Sequence, residues 1–449
     1  MASASSPVRR VPPEMVCEIF ALTLSCKDDR MDKTPWQLGH ICQSWRLAAL
    51  GYPPLWNSIT IPSPRDSFLL PMIETQLLRS ASGPLNVYWS ADEEEGTADP
   101  QCAASVVSHC NRWHLVCLDT TYTSDELSWL HPAAGRLDAL ERLKVLGSDP
   151  TVGIRDIFSV APRLREVILT DFRLGRYSAQ IDLPWGQITH YRGAFIAQTQ
   201  IDILKQTPYL RQCAVGLKLH IDYDPDNNSP AVLPYLRRLC IGQPRLLDRL
   251  NTPLLEELSC VRNWRMDLRA LLPFVHSSSC SLKTLVLMSC GICPDLVEVL
   301  RGLPSLTYAF IESPDERHGE TAGQYEHTVA LFEAMTTKDL CPALTSFVFG
   351  MAPEFPQDVF FTMVQSRTKS NPLNYLRLFG YDNSALDPSS LSSIRGYSTM
   401  TRPLPSLPAL EVCPSTMMDP IQALREEGFD IAFVGGRDVD LLKEKWLFV

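Results

Sequence analysis

Glycine is scarce here beside proline: 22 glycines against 35 prolines in 449 residues. So many prolines exclude a long helical bundle, because each ends an element or sits at its edge. Basic charge is also in deficit. A net charge of −10 argues against a nucleic-acid or anionic-membrane partner, both of which need a basic field. No apolar run approaches the roughly 18 residues that a membrane span requires. The opening MASASSPVRR has no apolar core and does not read as a signal peptide. There is no Gly-rich phosphate loop, no G-x-S-x-G elbow and no H-E-x-x-H, so no catalytic or cofactor-binding residue is predicted. Fourteen cysteines lie scattered without a framework and read as reduced thiols packed like small hydrophobes. A cytoplasmic or nuclear setting is expected.

The remainder looks like a folded chain, 45% apolar and 20% charged. After ten polar residues, VPPEMVCEIF announces a helix. Pro12 and Pro13 suit its first turn, where a missing N–H costs nothing, and Glu14 suits the positive end of its dipole. Met15, Val16, Ile19 and Phe20 recur at helical spacing. Residues 25–33 read as a polar loop. Thr34, Pro35 and Gln37 then form a capping box, opening a helix with Leu38, Ile41, Cys42, Trp45 and Ala49 on one face. Gly51 closes it, and Pro53-Pro54 begin a short turn holding Leu55 and Trp56. A unit this small usually leans on a partner.

This order and spacing resemble an F-box. Val11, Pro12, Pro13, Glu14 and Met15 match that family's Leu-Pro-x-Glu-Ile start, with Val for Leu and Met for Ile. Ile41, Cys42, Trp45 and Arg46 match its Val-Cys-x-x-Trp-Arg, and Leu55-Trp56 its closing Leu-Trp. The loop before the second helix is longer than usual, a form associated with fungal members. The resemblance implies that the segment docks a Skp-type adaptor, and through it a cullin-based ubiquitin ligase. The implied contact residues are Pro12, Pro13, Met15, Ile19, Phe20, Leu38, Ile41, Cys42, Trp45, Leu55 and Trp56.

Past Trp56 one frame recurs, Pro-x-Leu-x-x-Φ-x-Φ, where Φ is apolar. It stands at 161–169, 207–215, 233–241, 252–260, 303–311 and 341–349. Copies without the proline begin at Leu140, Leu282 and Leu373, and a degenerate one covers 183–191. From Leu140 to Leu373 is 233 residues, nine intervals of about 26, inside the spacing of leucine-rich repeats. Two frames extend toward the longer L-x-x-L-x-L-x-x-N/C form, reaching Asn263 and Cys290. The region therefore resembles an irregular leucine-rich repeat. Between frames lie amphipathic stretches at Ile154–Phe158, Leu246–Leu250, Leu268–Val275, Leu296–Leu300 and Val359–Val364. Units of helix, proline stop and strand must stack to bury their apolar sides. The expected fold is α/β: a disordered 1–10, an all-α three-helix domain over 11–58, and a parallel-sheet solenoid with outer helices over 59–449. Its cap falls at about 420–449, with Gly428 as the helix stop before a last strand at 429–434.

Strand alternation puts the residue between the last two Φ positions on the concave side. Ile168, Ala214, Cys240, Ser259, Val286, Phe310 and Val348 hold that place, flanked by Lys144 and Arg377. Such an apolar row marks either a target surface, with Ile168, Cys240, Val286, Phe310 and Val348 as contacts, or a face that a loop or the tail covers, or strands buried on both faces. Arg165, Arg211, Arg237 and Lys283 should form a solvated rim. Cys290 and Cys293 form a C-x-x-C, and His109, Cys110, His114 and Cys117 a local cluster; packing is the simpler role for both, and no metal site is predicted. Acidic 92–96 reads as a solvated loop. Polar stretches at 222–229, 313–327 and 381–398, and the proline-rich 401–410, read as loops and a linker. The expected function is target recruitment to a Skp/cullin/F-box type ligase, without catalysis, cofactor or homo-oligomer. The alternatives are an adaptor-binding scaffold that never joins a cullin, or an enzyme with a cryptic cysteine nucleophile.

Overall fold

The structure is a computed structural model. It describes residues 11–24, 35–62, 69–90, 98–120, 127–147, 156–171, 181–195, 197–217, 229–242, 244–261, 268–288, 290, 292–312, 323–337, 339–351, 355–370, 373–380 and 413–447. The chain divides into two compact units, 1–188 and 189–449. The boundary falls well inside the repeat region, so the front helices belong to the same compact unit as the first strands.

The first unit opens with α1 (Pro13–Leu24), α2 (Pro35–Gly39) and α3 (Gln43–Leu50), then a 3₁₀ turn over Pro53–Trp56. There follow β1 (Ser58–Ile61), α4 (Leu70–Arg79), β2 (Leu85–Ser90), α5 (Pro100–Val107), β3 (Trp113–Thr120), a 3₁₀ helix over Ser128–Ala133, β4 (Arg142–Gly147) and β5 (Glu166–Asp171). These five strands pair in parallel, in chain order.

The second unit contains β6 (His190–Phe195), α6 (Ala197–Lys205), β7 (Gln212–Leu217), β8 (Ala231–Val232), β9 (Arg238–Ile241), β10 (Leu250–Asn251), β11 (Glu257–Val261), α7 (Leu271–Ser278), β12 (Thr284–Met288), α8 (Leu296–Arg301), β13 (Tyr308–Glu312), α9 (Gln324–Met335), β14 (Ser346–Met351), α10 (Gln357–Ser370), β15 (Tyr375–Gly380), α11 (Ser415–Glu426), β16 (Asp430–Phe433) and α12 (Arg437–Leu447). Its main sheet runs β6-β7-β9-β11-β12-β13-β14-β15-β16, all parallel. β8 and β10 form a separate pair.

The prolines explain the punctuation. Each proline-bearing frame begins with a β-turn in which proline occupies the second position, where its fixed φ fits and no N–H is needed. The closing bonds are Leu210 N–H to Thr207 O, Leu236 to Leu233, Leu255 to Thr252, Leu306 to Leu303 and Leu344 to Cys341. The leucine so placed is buried, and the strand starts two residues later. One carbonyl of each unit then receives two N–H groups from the next. Arg237 O accepts from Glu256 and Glu257, Glu256 O from Lys283 and Thr284, Lys283 O from Thr307 and Tyr308, and Thr307 O from Thr345 and Ser346. This ladder fixes register from unit to unit.

Alternate strand residues divide between two faces. Phe347 and Phe349 of β14 join Phe332 of α9 and Phe360 of α10 in a stack of rings about 5–6 Å apart, which is the helix-covered core. Arg367 of α10 is buried against that layer and gathers carbonyls at and beyond the C-terminal end of α9. It donates to Met335 O, Thr337 O, Leu340 O and Cys341 O, and burial lowers its pKa.

Several local expectations change, and residues 156–158, read as part of an amphipathic helix, form a turn. The second predicted helix is two pieces, because Cys42 is extended at φ −159° and ψ 170°. The peptide turns after Gly39, and Arg46 Nε donates to Gly39 O at 2.8 Å. Residues 244–249 form a 3₁₀ helix, and Leu250 belongs to β10. Residues 324–327, read as loop, open α9. Residues 1–10, Thr34, the acidic 92–96, Ile154, Asn263 and most of the polar loops lie outside the described residues. The described residues include no helix long and apolar enough to cross a membrane.

Candidate functional site

Two surfaces were expected to bind partners, and burial treats them differently. In the front segment Val16, Phe20, Ala49, Leu55 and Trp56 form a small core, with Leu38, Trp36, Trp45 and Tyr52 packed around it. The Phe20 and Trp45 rings meet edge-on at 4.8 Å, and Trp56 Nε1 donates to Ala49 O at 2.8 Å. Arg79 of α4 lies over both Trp36 and Trp56, at 4.6 and 4.4 Å. The Tyr52 hydroxyl donates to Glu18 at 2.9 Å, a bond that raises its pKa.

This core corrects part of the predicted contact set. Phe20, Leu55 and Trp56 are at most 3% exposed and are consumed internally, because a segment this small needs its largest side chains for itself. Leu38 and Trp45 are half-buried. Pro12, Pro13, Met15, Ile19, Ile41 and Cys42 remain exposed. Leu22, Leu47 and Leu50 join them, having escaped the sequence reading. Met15, Ile19, Leu22, Ile41, Leu47 and Leu50 are 43–72% exposed. Met15, Ile19 and Leu22 stand at i, i+4 and i+7, a stripe along α1. The helix is thus apolar on two sides, one spent on its own core and one left over. That surplus was legible in the run MVCEIFALTL, whose apolar residues exceed what one helical face holds.

The predicted row across the second unit exists. Ala214, Cys240, Ser259, Val286, Phe310, Val348 and Arg377 stand directly opposite one another in successive strands. It is not an open surface. Cys240, Val286, Phe310 and Val348 are at most 1% exposed, because α12 lies on them. Val439 and Trp446 are buried in the same cluster, with Leu442 and Tyr308 packed against it. The Trp446 and Tyr308 rings are 5.1 Å apart, and burial raises the Tyr308 hydroxyl to about 12. Lys443 Nζ reaches Glu312 Oε1 at 2.6 Å, with both side chains largely buried. Gly350 lies between Phe379 and Glu312. A Cβ there would come 2.7 Å from the Phe379 ring, so the glycine lets these two side chains sit together under Lys443. Ile168, the contact residue from the first unit, is half-buried. The helix itself was missed, although Val439, Leu442 and Trp446 at i, i+3 and i+7 signal it.

The rim residues Arg165, Arg211, Arg237 and Lys283 are exposed. Glu256 sits between Lys283 at 2.8 Å and Arg237 at 3.7 Å, and the Lys283 hydrogen bond lowers its pKa. The C-x-x-C is split: buried Cys290 Sγ lies 3.3 Å from Cys260 O and Met288 O, while Cys293 is half-buried. In the His/Cys cluster, His114 Nε2 faces Glu141 at 3.2 Å and His109 Nδ1 faces Ser108 at 2.9 Å, and both cysteines are buried. Among the described residues no group of three or more His, Cys, Asp or Glu side chains is placed to hold a metal. Burial pushes Cys102, Cys117 and Cys240 up to about 12, and Cys280 and Cys341 to about 11. Each is thereby held as the thiol at neutral pH.

No protein-family model matches the chain, and no curated protein matches it. The functional reading rests on these two faces.

Proposed function

We propose that the chain is the target-recruiting subunit of a Skp/cullin/F-box type ubiquitin ligase. In this reading residues 11–58 are an F-box that docks the adaptor, the stacked units are an irregular leucine-rich repeat that receives the target, and transfer chemistry belongs to other subunits. One observation carries it. A front segment that has already filled its own core still presents Met15, Ile19, Leu22, Ile41, Leu47 and Leu50 to solvent. Met15, Ile19 and Leu22 run as one stripe along α1, an exposed apolar stripe of the kind that marks a partner surface, and the motif order in Pro12–Met15, Ile41–Arg46 and Leu55-Trp56 resembles the family that uses such a surface.

The test is co-purification. The chain is co-expressed with a Skp-type adaptor and a cullin and captured through a tag. Adaptor and cullin in one eluate, both lost on Ile19→Asp with Ile41→Asp, support the reading. Adaptor without cullin favours the scaffold instead. Adaptor capture that survives the double substitution removes the F-box assignment.

A further inference from the structure

The face occupied by α12 is built for a helix, and the occupant hangs on a pair of glycines. Its floor is apolar at Ala214, Cys240, Val286, Phe310 and Val348, is interrupted by buried Ser259 between Cys240 and Val286, and carries one buried carboxylate, Glu312. α12 meets that floor with Val439, Leu442, Lys443 and Trp446, positions i, i+3, i+4 and i+7, while Asp438, Asp440, Leu441 and Lys445 are exposed. It has eleven residues, short of the roughly 12–15 an isolated helix needs to be even marginal in water. Its order therefore depends on the floor. Its tether is Gly435-Gly436, with Gly436 at φ +50°. Just before this hinge, β16 pairs with β15, and Val434 N–H bonds to Leu378 O at 2.7 Å. The two glycines, whose carbonyls accept from Asp438 and Val439 N–H, thus join the helix to a strand that the sheet holds independently.

We infer that this face is a receptor for an amphipathic helix with apolar side chains at i, i+3 and i+7 and a basic one at i+4, and that α12 is its resident, displaceable occupant. The partner is a helical segment of another protein with that pattern, its Lys or Arg reaching Glu312. Specificity comes from the carboxylate: a helix of equal apolarity without the basic residue leaves Glu312 buried and unpaired. A tethered occupant competes at high effective concentration, so an outside helix sees only the fraction of molecules in which α12 is off. That such a helix belongs to a ligase target rests on the proposed function; the affinity of the face does not.

The test uses the full chain and a labelled peptide of residues 435–449. Val439→Asp with Trp446→Asp frees the face without altering it. The peptide should bind this chain at least tenfold more tightly than the unsubstituted one, and a scrambled peptide should not bind. Adding Glu312→Lys should weaken binding at least tenfold, and a peptide carrying Lys443→Glu should recover it. In the unsubstituted chain, α12 amides should exchange hydrogen at least tenfold faster than those of β12–β14. Three results overturn the inference: a folded, freed chain without saturable peptide binding; a freed chain in which the sheet no longer unfolds cooperatively; or α12 amides exchanging as slowly as the strands beneath. No adaptor is present, and Ile19→Asp should leave binding unchanged. Peptide binding without adaptor capture therefore sinks the ligase reading alone, and the reverse result sinks this inference alone.

Discussion

Lys443 and Glu312, 131 residues apart in sequence, form an ion pair with Nζ to Oε1 at 2.6 Å beneath α12. Losing one partner of a buried pair costs about 3–5 kcal/mol, because the other stays charged in a poor medium. Glu312→Gln and Lys443→Met should each loosen α12, and the double variant should recover much of the loss. Hydrogen exchange in α12 measures this. Single losses that simply add in the double variant would show that the two side chains are not coupled.

The front segment predicts two opposite responses. Phe20→Ala empties a filled core and should cost about 3–5 kcal/mol, read as a lower thermal midpoint of the first unit. Leu22→Ser and Leu47→Ser act on exposed side chains and should shift stability by no more than about 0.5 kcal/mol. If they reduce adaptor capture at that small cost, they separate docking from folding.

Arg367→Met should be among the most destabilising changes in the second unit. It keeps the apolar bulk but orphans the carbonyls of Met335, Thr337 and Leu340, each worth about 1–3 kcal/mol when buried unpaired, while Cys341 O keeps its bond from Leu344 N–H. Fraying at the end of α9, seen as faster exchange around 335–341, is the expected sign. Unchanged exchange there would mean that the clamp holds nothing.

The buried thiols set a pH dependence. Their folded pKa lies above that of an unfolded thiol, so folding favours the protonated form. The stability they lend is complete below the ordinary thiol pKa, near 9, and is lost as pH rises through about 11–12. A thermal midpoint that falls steadily above pH 9, with slow labelling of Cys117, Cys240, Cys280 and Cys341 at pH 8, is expected. Rapid labelling of one of them in the folded chain would revive the cysteine-nucleophile alternative.

The repeat frames were readable because their signal is local. Proline fixes a turn, the next leucine is buried, and alternation sets the strand, as at Pro253, Leu255 and Leu258. The same alternation aligned Cys240, Val286, Phe310 and Val348. It did not reveal what lies on them, since a strand's pattern records that a side chain is covered, not by which distant residue. α12 went unread because its three apolar positions follow Gly435-Gly436 and sit among charges. The break in the second front helix was hidden for another reason: Leu38, Ile41, Cys42 and Trp45 keep helical spacing across a turn that Gly39 and the extended Cys42 impose. Burial of Phe20, Leu55 and Trp56 follows from competition for one small core, which spacing does not rank.

A stack whose members touch only their neighbours can shed them one at a time from an end. α12 does not respect that order. Through Trp446 it touches Tyr308 of β13, with Arg238 of β9 6.0 Å from the ring, and through Lys443 it holds Glu312 of β13 beside Phe379 of β15. Those strands are fastened across their intermediates like slats under one strap. While the strap is down, fraying from the β16 side has to break several contacts together. When it lifts, the slats become separable, so whatever takes its place decides how stiff that part of the sheet remains.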